Sequence, residues 1–137
     1  MKIRYTALTL LLMAAILVHG QEDPTKKMEG TWLFVKAASG EKDISSDYVF
    51  GFLDGKARKM TLQKGGALIY EEEVVSQLNI TKATWSVEPN EAGTTYYLNL
   101  VVELDGMAST SREKILVADG KKLIFGKRMT YEYVAVK

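Results

Sequence analysis

Short runs of β-branched and aromatic residues, separated by glycine-containing turn dipeptides, are the feature that most constrains the fold of this chain. Asp54-Gly55, Asp105-Gly106 and Asp119-Gly120 are dipeptides that supply the positive φ of tight hairpin turns. The runs between such breaks predict strands at residues 31–37, 47–53, 56–63, 67–75, 79–88, 95–104, 109–118, 121–126 and 130–136. Because consecutive antiparallel strands remove their exposed edges by closing, we expect an all-β protein, an antiparallel up-and-down meander closing into a barrel of about eight strands.

The alternation of side chains is clearest in residues 95–104. One face of this run carries Tyr96, Leu98, Leu100, Val102 and Leu104. A period of two over that length predicts a strand buried on one side.

Residues 71–78 are the ambiguous segment. Glu and Gln tolerate a helix, whereas Val74 and Val75 prefer a strand, so the segment fits either a helical turn or a β-bulge. Glu71, Glu72 and Glu73 raise the question of a cation site. Since only Glu71 and Glu73 would share a face of a strand, we expect a solvated acidic surface instead.

The N-terminus has the pattern of an export signal. Lys2 and Arg4 precede an uncharged, mostly apolar run from Ala7 to Val18, which is shorter than the roughly 20 residues of a membrane span. We therefore expect a signal peptide at residues 1–20, cleaved near Gly20, and a secreted or periplasmic protein. A retained anchor is the alternative.

The rest of the chain divides into two parts. Residues 21–28 are polar and are predicted to be a flexible lead-in. Residues 29–137 are predicted to form one β-barrel domain, a length that allows a core without disulfides.

Two absences limit the chemistry. The chain has no cysteine, and its one histidine, His19, lies in the predicted signal peptide. Cys- and His-based zinc sites, Ser–His–Asp triads and imidazole bases are therefore excluded from the mature domain. We predict no enzymatic activity, no cofactor and no metal. The net charge of +1 gives no electrostatic argument for nucleic acid.

Five short motifs, taken in order, resemble one family. They are Gly30-Thr31-Trp32, Phe52-Leu53-Asp54-Gly55, Ala83-Thr84-Trp85-Ser86-Val87, Leu98-Asn99-Leu100 and Leu123-Ile124-Phe125. Together they resemble the small bacterial lipocalin-like domains of secreted proteins, which are calycin-type β-barrels. The resemblance implies that Gly30 permits a turn and that Trp32 plugs the closed end of the barrel. Lipocalins place an arginine across this tryptophan, and Arg128 is the nearest candidate here.

The aromatic faces of the predicted strands suggest a binding role. If the barrel holds a pocket, we expect its wall to include Trp85, Tyr96, Leu98, Leu100, Tyr131 and Tyr133. The leading hypothesis is an exported, non-enzymatic lipocalin-like protein that binds a small apolar or amphipathic molecule, without stable membrane insertion after cleavage. The alternative is a filled-core module that binds a protein or glycan, and a small outer-membrane barrel is a third possibility.

One modification motif is present. Asn79-Ile80-Thr81 matches the acceptor for N-glycosylation, which matters only in a eukaryotic secretory route.

Overall fold

The computed structural model describes residues 22–137, so the predicted signal peptide and its cleavage site at Gly20 lie outside the described residues. Within these described residues, two short α-helices (α1 and α2), one 3₁₀ turn and eleven strands follow one another. Their order is α1 (Thr25–Met28), β1 (Gly30–Ser39), β2 (Lys42–Asp43), the 3₁₀ turn (Ser45–Asp47), β3 (Phe52–Leu53), β4 (Lys56–Ala57), β5 (Lys59–Leu62), β6 (Leu68–Tyr70), α2 (Glu72–Leu78), β7 (Ile80–Pro89), β8 (Tyr96–Leu104), β9 (Met107–Ala118), β10 (Lys122–Gly126) and β11 (Met129–Ala135). Neither helix is long and apolar enough to cross a membrane.

Eight of the strands form one antiparallel sheet in the order β6-β5-β1-β11-β10-β9-β8-β7. The two outer strands of this order approach each other where Ala67 faces Thr84 in a single bridge. There the Trp85 N–H donates a hydrogen bond of 2.9 Å to the Gly66 carbonyl oxygen. The sheet is thus nearly closed into a barrel, and the predicted all-β meander of about eight strands is confirmed.

The alternation of side chains along each strand determines which residues face the inside of the barrel. In β8, Leu98, Leu100 and Val102 are buried, whereas Asn99 and Val101 between them are partly exposed. This is the pattern expected for a strand with one face on a core.

The predicted strand at 47–53 is wrong for most of its length. Only Phe52 and Leu53 are extended, and they pair with β4 in a small separate hairpin. The run 56–63 is likewise divided, because Arg58 separates β4 from β5. We call residues 44–51 the inserted segment, because their aromatic side chains fold into one end of the barrel.

The ambiguous segment is helical. The predicted strand at 67–75 ends at Tyr70, and α2 follows with Val74 fully buried. Asn79 ends the helix in the left-handed region at φ +52°, where its N–H donates to the carbonyl oxygens of Ser76 and Val75. An asparagine tolerates this conformation better than most residues, and it makes a stable helix end here.

The segment predicted as a flexible lead-in contains α1. Pro24 and Met28 of this segment are buried, and the Met28 N–H donates to the Pro24 carbonyl oxygen at 3.1 Å. Residues 21–28 are polar in sequence apart from Pro24 and Met28, and these two are the ones that face the barrel. Hence α1 is part of the packed domain.

The two ends of the barrel differ. We call the end that carries α1, Trp32 and the β9–β10 turn the closed end. We call the other end, which carries α2 and the β8–β9 and β10–β11 turns together with the inserted segment, the open end.

Candidate functional site

The inserted segment is held by backbone contacts at both of its ends. At its start, the Ile44 N–H donates to the Ala37 carbonyl oxygen at 2.9 Å. At its end, the Gly51 carbonyl oxygen accepts a bond of 2.7 Å from the Arg58 N–H. Gly51 lies so close to the rings of Phe34 and Tyr48 that an added Cβ would be 2.5 Å from Phe34 Cδ1. Only glycine therefore allows the inserted segment to pack this closely against Phe34.

Tyr48 of the inserted segment stands at the centre of an aromatic cluster. Its ring centroid lies 4.5 Å from that of Tyr131, 5.3 Å from that of Phe34 and 6.0 Å from that of Phe50. The Tyr133 hydroxyl donates to the Tyr48 hydroxyl at 3.2 Å. Burial raises the pKa of both phenols, so that they stay neutral at ordinary pH.

A partly open cavity of about 170 Å³ lies beside this cluster, at the open end. One wall is apolar and aromatic, formed by Tyr48, Phe50, Tyr70, Leu100, Val102, Phe125 and Tyr131. A polar stripe on β9, formed by Ser109, Ser111 and Glu113, completes the lining and lies next to Leu100 and Val102 of β8 in the same sheet. These three residues share a face because they are spaced by two along the strand.

Glu113 carries the charge of this cavity. It is the one charged side chain among the described residues that line it. Within residues 22–137 its carboxylate has neither a salt bridge nor a hydrogen bond, whereas the neighbouring Arg112 is paired with Glu88. Burial raises the pKa of Glu113, and the charge of Lys127 opposes that shift.

A second cavity of about 270 Å³ adjoins the first at its rim. It shares Glu113 and Tyr131 with the inner cavity and adds Arg112, Lys127, Arg128 and Met129. Arg112 Nε donates to Glu88 Oε1 at 2.6 Å, and its guanidinium lies 3.9 Å from the ring centroid of Tyr97. The rim is therefore cationic, and its Arg112 is engaged on the outer face of the sheet.

The acidic run at the start of α2 is engaged in ion pairs. Arg58 is only 7% exposed, and its Nη1 lies 3.2 Å from Glu71 Oε1 and 3.8 Å from Glu73 Oε2. Arg58 Nε and Nη2 also donate to the Leu53 carbonyl oxygen at 3.1 and 3.0 Å. Glu71 is thus not part of a solvated acidic surface, because Arg58 uses it to join α2 to the β3–β4 hairpin.

Of the six side chains predicted to surround a pocket, Leu100 and Tyr131 line the cavity. Leu98 and Tyr133 are fully buried in the core. Tyr96 is half-buried and lies at the far end of β8, where it pairs with Pro89. Trp85 lies at the seam of the barrel, where its Nε1 donates to the Gln63 carbonyl oxygen at 2.8 Å.

The sequence reasoning missed most of the cavity wall. Tyr48 and Phe50 were hidden because their segment was predicted to be a strand. The alternation of Ser109, Ser111 and Glu113 in β9 was a readable signal, since it predicts a polar stripe on one face of a strand.

The structure places Trp32 and Gly30 of the predicted plug at the closed end and Arg128 at the open end. Trp32 is 1% exposed at the closed end, and its Nε1 donates to the Met28 carbonyl oxygen at 2.7 Å. Gly30 begins β1 at φ +132°. Arg128, however, is exposed in the β10–β11 turn at the open end. Because β11 runs from that turn to Ala135 beside Trp32, a residue before β11 lies at the wrong end to cover the tryptophan.

No protein-family model matches the sequence, and neither a curated protein nor a solved structure matches it.

Proposed function

We propose that the protein binds a small amphipathic molecule in the cavity at the open end of the barrel and does not catalyse its turnover. The observation that carries this proposal is the pairing of an aromatic wall with the polar stripe of Ser109, Ser111 and Glu113. Such a combination of apolar surface and a few convergent polar groups is typical of small-molecule sites.

A binding role fits the available groups better than catalysis. Among the described lining residues Glu113 is the one carboxylate, and it has no second carboxylate beside it for paired acid–base work. Burial raises the pKa of the Tyr48 and Tyr133 phenols, so at neutral pH both keep their protons and no phenolate is present to act as a base.

We further propose that the protein is lipocalin-like and is exported to the periplasm or the cell exterior. The order of the eight strands and the buried Trp32 at the closed end support the first proposal. The charged start and the apolar run of residues 1–20 support the second.

A pair of adjacent substitutions on β9 tests the site. Ser111→Leu places a larger, apolar side chain in the cavity, whereas Thr110→Leu places the same new residue on the exposed outer face. Ligand-observed NMR with three one-ring probes (phenethylamine, 2-phenylethanol and phenylacetate) measures the binding. We expect at least one probe to bind the unmodified protein and the Thr110→Leu variant, and to lose binding in the Ser111→Leu variant.

Absence of binding by all three probes would count against the proposed site. Equal binding by the two variants would place the probe elsewhere on the surface. Native mass spectrometry of the protein purified from its own host adds a check, because a retained small molecule is the expected result. A ligand-free protein that captures a protein or glycan instead would favour the filled-core interaction module.

A further inference from the structure

We propose that the occupant of the inner cavity is an organic cation, an ammonium group on a body about the size of one aromatic ring, with Glu113 as its counter-ion. This inference rests on the proposed function and names the ligand class of the same site.

The sign of the charge in the cavity favours a cation. Glu113 is the one charged residue among the described lining residues, and its carboxylate has no partner within residues 22–137. An anionic ligand in the inner cavity would meet the Glu113 carboxylate without a cation among the described lining residues, because the cations lie in the adjoining rim cavity. A partly buried carboxylate without a partner has lost part of its hydration shell. A ligand ammonium takes the place of the lost water by donating a charged hydrogen bond to the carboxylate.

The aromatic wall also favours a positively charged ligand. The rings of Tyr48, Phe50, Phe125 and Tyr131 line the same cavity as Glu113. Aromatic faces attract ammonium groups because the ring quadrupole is negative on its face. A carboxylate facing several aromatic rings is thus an environment suited to an amine and unsuited to a carboxylate or phosphate.

The polar stripe supplies further acceptors. Ser111 lies two residues from Glu113 on the inner face of β9, about 6.6 Å along the strand. An ammonium group has three donors, and a serine hydroxyl can accept one of them. Glu113 and Ser111 together thus provide a hydrogen-bonding site for one primary ammonium.

Two of the three cations of the rim, Arg112 and Lys127, lie beside the ring of Tyr97. Arg112 is paired with Glu88, and its guanidinium stacks on Tyr97. The Lys127 ammonium lies 5.8 Å from the centroid of the same ring. Tyr97 lies on the face of β8 opposite to Leu98 and Leu100, so both cations are drawn toward the outside of the barrel.

The volume of the cavity limits the size of the ligand. At about 170 Å³ it is comparable to a cavity of roughly 150 Å³ that holds benzene in another protein. A single ring with a short amine-bearing chain fits this space, and larger bodies would extend into the rim cavity.

The test compares the affinities of the same three probes, which differ mainly in the charge of the polar group. We expect phenethylamine to bind about tenfold more tightly than 2-phenylethanol, and phenylacetate to bind more weakly than either. Glu113→Gln keeps the shape of the side chain and removes its charge. In that variant we expect the affinity for phenethylamine to fall about tenfold while the affinity for 2-phenylethanol is unchanged.

Glu132→Gln is the matched control, because it removes one carboxylate from the outer face of β11. We expect it to leave the order of the three probes unchanged. Tighter binding of phenylacetate, or a preference for the amine that survives in Glu113→Gln, would overturn the inference. Binding of the neutral probe alone would overturn the inference and leave the proposed binding site standing. Absence of all binding would contradict the proposed function itself.

Discussion

The closed end of the barrel has a core of apolar side chains around Trp32, whereas the open end has a cavity with a carboxylate in its wall. At the closed end Trp32, Met28 and Leu62 are almost completely buried, and the polar atom of the indole has a backbone partner. At the open end Glu113 is partly exposed and has no partner within the described residues. Partial burial disfavours the ionised form of this carboxylate, so the open end gives up some of the stability that the closed end supplies.

The two ends also differ in how they are covered. The closed end is covered by α1, which follows the chain directly into β1. The open end is narrowed by the inserted segment, which is a long connection between β2 and β3 and is held by backbone hydrogen bonds at its two ends and by aromatic contacts of Tyr48. This division places rigidity at one end and a binding surface at the other, as in many proteins whose functional groups lie on loops supported by a scaffold.

The largest expected effect is the loss of the closed-end core. Replacing Trp32 by alanine removes a fully buried ring together with its hydrogen bond to Met28. Substitutions of this kind cost about 3–5 kcal/mol, and we expect that loss in the free energy of unfolding measured with urea. Trp32→Phe is the control, because it keeps most of the volume and should cost clearly less. If Trp32→Ala lowered the free energy of unfolding by less than a substitution at the open end, the closed end would not be the main source of stability.

The sequence was a good guide to the closed end and a poor one to the open end. Alternation in β8 identified Leu98 and Leu100 as inward-facing, because a strand with one buried face repeats every two residues. The inserted segment has the same aromatic composition as a strand, so Tyr48 was assigned to one. Its position depends on Gly51 packing against Phe34, a contact between distant parts of the chain that no local pattern contains.

Gly51→Ala tests the open end of the barrel. The new Cβ would lie within 3 Å of ring atoms of both Phe34 and Tyr48, so the inserted segment must move outward. We expect a loss of about 1–3 kcal/mol in unfolding free energy and a weaker aromatic signal in near-ultraviolet circular dichroism. Val49→Ala is the control, because Val49 belongs to the same segment and its side chain is exposed. An unchanged aromatic signal in Gly51→Ala would show that the segment does not need this close approach.

The smallest expected effect is the change in the stability of the protein when Glu113 is replaced. Burial raises the pKa of its carboxyl above the ordinary value of 4.5, although Lys127 opposes the shift. The folded protein therefore binds this proton more tightly than the unfolded chain, so the ionised carboxylate opposes folding at neutral pH. We expect Glu113→Gln to be slightly more stable than the unmodified protein at pH 7, with the difference vanishing as the pH falls below about 4.5. Thermal unfolding at several pH values measures this difference, and Lys127→Met should enlarge it by removing the opposing charge. Lower stability of Glu113→Gln at pH 7 would mean that the carboxylate contributes to folding, and the open end would then not be the end that gives up stability for binding.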